Sequence, residues 1–97
     1  MVSGFSVLIS VYQFDNPFYL SEALQSVLKQ TVLPSEMFII QDGPVPKSVN
    51  QTLEIFYSSN KETFDIKIIQ LEKNVGLGEA LRIGVEVNNG AVLATKS

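Results

Sequence analysis

The sequence predicts an α/β chain built on a three-layer, mainly parallel sheet, cut off after about the fourth strand. Three observations carry this. Short β-branched runs recur about 30 residues apart at first, the spacing of βαβ units. The stretches between them are apolar with helical period. The runs themselves are apolar at almost every position, as strands buried on both faces should be.

Phe5–Val11 is the first such run. Asn16-Pro17 follows it, a capping residue with proline in the first helical turn. Leu20, Ala23, Leu24, Val27 and Leu28 then form one helical face, and Pro34 closes the segment. Met37–Ile40 is a second buried strand, ended by Asp42-Gly43-Pro44. Ser48-Val49-Asn50-Gln51 has the capping-box form, with Val49, Leu53, Phe56 and Tyr57 as the stripe of the helix it would open. Ile66–Leu71 is a third strand. Leu77, Ala80, Leu81, Gly84 and Val85 form a third helix face, and Ala91–Ala94 begins a fourth strand. Strands joined by helical crossovers run parallel with right-handed connections, which places helices on both faces. No linker or low-complexity run interrupts the pattern, so residues 1–97 read as one partial domain.

Composition narrows the function. Hydrophobic residues make up 45% of the chain and charged residues 18%, which excludes a disordered tail. A net charge of −3 without a basic cluster argues against nucleic acid and against an anionic membrane surface. Cysteine and histidine are both absent, which removes thiolate chemistry and the commonest general base and fits a cytoplasmic setting. No apolar run approaches the ~20 residues of a membrane span, and the first ten residues lack the pattern of a signal peptide.

In open parallel sheets, ligands bind beyond the carboxyl ends of the strands. That singles out Ser10–Asp15, Gln41–Pro44 and Glu72–Gly78. Asp42 is the sharpest residue. Its carboxylate could accept a ring N–H from a ligand, or it could open an Asx turn ahead of Gly43-Pro44. Tyr12 could stack on a base or pack at an edge. Asn74-Val75-Gly76-Leu77-Gly78 is a poor match to a dinucleotide fingerprint, since Leu81 stands where a third glycine would fall. Its plainer reading is a helix cap at Asn74 with glycines shaping the entry. Glu22, Glu79 and Glu86 read as solvated helix faces, and a receiver-like domain would need an acidic cluster that Asp15 alone does not make.

Four stretches in register, Ser6–Tyr12, Leu20–Thr31, Gln41–Gly43 and Asn74–Leu81, resemble family-2 glycosyltransferases across nearly the whole chain. The resemblance implies the GT-A fold and transfer of a sugar from a nucleotide diphosphate sugar, UDP-sugar favoured, in polysaccharide biosynthesis. It places Ser10 and Tyr12 at strand-end positions that contact the base. It matches Asp42 to the second acid of a D-D-G element and Asn74, Gly76 and Ala80 to an N-x-G-x-x-x-A element beside the nucleotide. Two departures are visible: Gln41 replaces the first acid, a change expected to weaken a secondary contact, and Leu81-Arg82 stands where the family often has Arg-Asn. The family's D-x-D, which holds a divalent metal (magnesium or manganese) on the diphosphate, would follow Ala94, where this sequence reads Thr95-Lys96-Ser97. The expectation is therefore a nucleotide-binding scaffold with no metal ligands, no catalytic residues and no turnover of its own. The competing expectation is a non-catalytic module that self-associates through an exposed sheet edge.

Overall fold

A computed structural model describes residues 6–31, 33–76, 78–80 and 82–83, together with the backbone of 92–96. The elements in chain order are β1 (Ser6–Val11), α1 (Pro17–Leu28), β2 (Glu36–Gln41), α2 (Lys47–Asn60), β3 (Asp65–Gln70) and β4 (Val92–Lys96). Residues 78–80 and 82–83 are helical, which is the described part of the expected third helix; Leu77, Leu81, Gly84 and Val85 lie outside the described residues. The four strands form one sheet in the order β3-β2-β1-β4, and every pairing is parallel.

The two faces are covered differently. Val7, Ile9 and Val11 of β1 and Met37 and Ile39 of β2 pack with Leu20, Leu24 and Val27 of α1 and Val49, Leu53 and Phe56 of α2. Leu8, Phe38 and Ile40 turn to the other face, where Ala80 meets them. This is the period-2 alternation of strands sandwiched between layers. Right-handed crossovers require the split: the chain moves one way from β1 to β3, which puts α1 and α2 on one face. It then returns across the sheet to β4 with its helix on the other.

β1 and β2 are buried almost throughout, whereas β3, at an edge of the described sheet, exposes Asp65, Lys67 and Gln70. Charged and amide side chains along an edge discourage pairing with another chain.

Local signals set α1 as expected. The Asn16 side chain accepts hydrogen bonds from the Phe18 and Tyr19 backbone N–H groups at 2.8 and 3.3 Å, with Pro17 opening the helix. Asn16→Ala is expected to cost about 1 kcal/mol of stability, read as a fall in the urea midpoint at constant slope.

The start of α2 departs from the sequence reading. Ser48 does not cap: the helix begins at Lys47 with Pro46 in the cap position and no side-chain cap. Pro46 is extended at φ −62° and its carbonyl accepts from the Asn50 N–H at 3.0 Å, so the helix is already under way at Ser48. The Ser48 carbonyl instead accepts from the Thr52 hydroxyl. Tyr57 also leaves the expected stripe and lies exposed, with the Lys61 ammonium 5.9 Å from its ring centroid.

Candidate functional site

The strand order reverses around β1, which lies between β2 and β4, so the topological switch point sits where β1 and β4 end. The chain leaves β1 at Tyr12 in a turn closed from both sides. The Asp15 carboxylate accepts from the Tyr12 N–H at 3.0 Å, and the Asp15 N–H donates to the Tyr12 carbonyl at 3.1 Å. The Tyr12 side chain is 41% exposed and meets Phe14 edge to face at 5.9 Å between ring centroids. A partly exposed ring held by its backbone at the carboxyl edge is a surface on which a flat ligand ring can lie. Phe14 is also exposed, as are Phe18 and Tyr19 at the start of α1.

β2 reaches the same edge. Its last pairing residue, Gln41, is followed by Asp42, whose N–H donates to the Val11 carbonyl at 2.7 Å and so ties the ends of β1 and β2 together. Asp42 is only 2% exposed, and its carboxylate is heavily engaged. Oδ1 accepts from the Val75 N–H at 2.7 Å. Oδ2 accepts from the Gly76 N–H at 3.0 Å and from the Asn74 side-chain amide at 3.3 Å. The same amide also donates to the Asp42 carbonyl at 3.2 Å.

These contacts replace two of the expected local motifs. An Asx turn at Asp42 would need the N–H two residues on, but that residue is Pro44, which has none. The carboxylate therefore turns to a loop more than thirty residues away. Asn74 does not cap a helix either. Its amide serves Asp42, while Gly76 supplies the first helical acceptor by taking the Ala80 N–H at 2.9 Å.

Gly43 completes the junction. Its φ is +87°, and a Cβ there would lie 2.6 Å from the Asn74 nitrogen and 3.0 Å from the Lys73 carbonyl carbon. The backbones of 43 and 73–74 are thus in close approach, which only glycine permits.

Ser10 follows Leu8 by two positions and is buried on that same face of the sheet; among the described residues its hydroxyl makes no hydrogen bond. Asp42, Asn74 and Gly76 therefore come together directly. Tyr12 is linked to them only along the chain, as the residue after Val11, whose carbonyl accepts from the Asp42 N–H, and Ser10 precedes Val11 on β1.

Gln41 points elsewhere. Its side-chain amide donates to the Asn50 Oδ1 at 3.3 Å, and the Asn50 amide donates to Glu54 at 3.0 Å. Gln41 lines a cleft of about 640 Å³ that also takes in Gly43, with Lys47 and Asn50 of α2 and Gln70 and Glu72 at the end of β3. The amide at position 41 is thus explained by Asn50, a pairing that the order of residues along the chain did not suggest.

Of the glutamates expected on solvated faces, Glu22 and Glu79 are exposed, and Glu86 lies outside the described residues. Glu79 is hydrogen-bonded to Arg82, and that bond holds its carboxyl below the ordinary 4.5. Among the described residues no three Asp, Glu, His or Cys side chains cluster to hold a metal, and no helix is long and apolar enough to cross a membrane.

A parallel sheet with helices on both faces, and with a carboxylate and a glycine-containing loop bonded together beyond the carboxyl ends of β2 and β3, defines an α/β unit with a candidate ligand site at that edge. The profile of glycosyl transferase family 2 matches residues 6–95, and the chain belongs to that family. Its architecture is that of the N-terminal half of a GT-A fold.

Among curated proteins, it is 47% identical over 81 residues to a UDP-Gal:alpha-D-GlcNAc-diphosphoundecaprenol beta-1,3-galactosyltransferase of Escherichia coli, a match covering 84% of this chain and 28% of that protein. It is 39% identical over 82 residues to the amylovoran biosynthesis glycosyltransferase AmsE of Erwinia amylovora, covering 84% of this chain and 29% of that one. An uncharacterised glycosyltransferase of Haemophilus influenzae is 35% identical over 81 residues, again covering 84% of this chain and 29% of its own. The chain thus spans less than a third of the length of these relatives. No solved structure gives a significant match.

Proposed function

We propose that this chain is the nucleotide-binding portion of a glycosyltransferase that moves a sugar from a nucleoside diphosphate sugar to an acceptor in polysaccharide biosynthesis. The observation that carries this reading is the bonding of Asp42 to the 74–76 loop at the carboxyl edge, the same edge at which Tyr12 leaves β1. Tyr12 offers its ring to the base. Asp42 keeps about one acceptor position after its three internal bonds, enough for a single base N–H. Ser10, Asn74 and Gly76 line the same edge with polar and bare-backbone contacts.

Uracil, with one N–H on its pairing edge, suits that capacity, and the name of the Escherichia coli relative carries a uridine donor and a diphosphoundecaprenol-linked acceptor. A lipid-linked acceptor is proposed here by that likeness. A cytoplasmic location is proposed separately, on the lack of cysteine in the chain. A divalent metal, magnesium or manganese, is expected on the diphosphate of the full enzyme. The described residues do not fit such a site, so none of them is assigned to it and none is assigned as a catalytic base.

Titration with UDP, followed by amide NMR, tests the reading. Shifts are expected at Tyr12, Asp42 and residues 74–76, with weak affinity where contacts to the diphosphate are few. No shift at these positions at millimolar UDP would overturn it.

A further inference from the structure

We infer that Asp42 is a positioning residue, whose carboxylate and the bare backbone of Gly43 together lock the 73–76 loop onto the end of β2 before any nucleotide arrives. The inference rests on the proposed nucleotide site only in assigning that loop a ligand; the lock itself is a property of the free chain.

Acceptor capacity makes the first argument. A carboxylate offers about four acceptor positions. Three of them are taken within the chain, by the Val75 and Gly76 N–H groups and the Asn74 amide. Most of what this side chain does is therefore done without a ligand.

The second argument comes from burial. Asn74 and Val75 are exposed, so the loop gains little from apolar packing and would be mobile without another tether. Asp42 by contrast is almost wholly buried, and a buried carboxylate is costly unless several donors meet it. A buried charge spent on holding an exposed loop is a poor source of stability, since apolar residues stabilise as well without the desolvation penalty. What the charge supplies is direction. Two successive backbone N–H groups aimed at two oxygens fix the orientation of the peptide planes that lead toward helical residues 78–80.

Gly43 is the third argument, because it is independent of charge. The near-contact of its backbone with Lys73 and Asn74 sets the distance between the two loops. Asp42 then closes the hydrogen bonds across a gap that already has the right width. A loop ordered in advance spares its ligand the cost of ordering it, which raises affinity without adding a contact.

The experiment uses the intact protein carrying this chain, as wild type, Asp42→Asn and Asn74→Ala. An asparagine at position 42 can accept through one oxygen, but its amide nitrogen faces one of the former donors. Amide hydrogen exchange at Val75 and Gly76 is read without nucleotide, with Ile39 and Ile40 as controls for global opening. UDP affinity is measured in parallel.

In Asp42→Asn, exchange at Val75 and Gly76 should accelerate by at least about tenfold, the factor expected for loss of a buried charge-assisted bond. Exchange at Ile39 and Ile40 should stay unchanged, and UDP should bind more weakly. Asn74→Ala, a change at an exposed residue, should move the same two amides in the same direction by less. Unchanged exchange at both amides in Asp42→Asn overturns the inference, even if UDP binding falls, because Asp42 would then act on the ligand alone. If Asp42→Asn does not fold, unchanged exchange in Asn74→Ala overturns it. If wild type fails to bind UDP while the exchange result holds, the uridine-nucleotide reading falls and the lock stands.

Discussion

Ile39→Ala is expected to lower the unfolding free energy by about 2–5 kcal/mol, the range for truncating a large aliphatic side chain in a core. Ile39 is fully buried at the middle of β2 and pairs with Ile9 of β1 and Ile68 of β3. Its side chain lies in the cluster that joins both central strands to α1 and α2, including Leu20, Leu24, Leu53 and Phe56. Neighbours on two rigid strands and two helices cannot collapse easily into the space left, so the upper half of the range is expected. Natural domains are stable by only about 5–15 kcal/mol, so the variant would be close to unfolding. Urea denaturation should show a lower midpoint with an unchanged slope. A loss below about 1 kcal/mol would mean that Ile39 is not at the centre of the packed layer.

Gly43→Ala is expected to have the second largest effect, about 1–3 kcal/mol from backbone strain alone, with a steric contribution added to it. A positive φ of +87° disfavours any side chain, and the new methyl would sit 2.6 Å from a backbone nitrogen that cannot swing aside. Gly76 provides the control within the same junction. Its φ is +92°, but a Cβ there meets nothing within 4 Å, so Gly76→Ala carries the strain without the clash. Thermal melts of the two variants should therefore rank Gly43→Ala as clearly the more damaging. Equal losses would show that conformation alone, and no close approach of the two loops, requires glycine at position 43.

Much of the architecture was legible because its signals are local. β-branched runs at Ser6–Val11 and Glu36–Gln41 are apolar enough to be read as buried strands, and both form within a residue or two of expectation. Asn16-Pro17 opens a helix because the cap and the fixed φ act within four residues. Where two local signals compete, the order of residues does not decide between them. Ser48 has the form of a cap, but Pro46 just before it is already extended and starts the helix first. Tyr57 fits the helical period and still faces water, because the stripe of α2 against the sheet is only as wide as Val49, Leu53 and Phe56.

The candidate site was legible as a set of positions but not as a set of bonds. The rule that ligands sit beyond strand ends selects Tyr12, Asp42 and the 74–76 loop from the sequence alone. Which face each side chain takes depends on the pleat. Gln41 turns to α2 and meets Asn50, and Asp42 turns the other way to the loop after β3. One residue along a strand reverses the face, so adjacent positions with similar chemistry reach unrelated partners.

By itself, the sequence determined the class of this protein: alternating strand and helix periods, a crossover topology and the ordered stretches of glycosyl transferase family 2. Tertiary structure alone decided which donors the Asp42 carboxylate meets. Its acceptors and their donors are separated by more than thirty residues, and they meet only once β2 and β3 are paired in parallel register. No local pattern encodes that distance, and no residue near Asp42 in the chain offers the donors: the residue that could have closed a turn is a proline. A buried carboxylate must find its partners wherever the fold puts them.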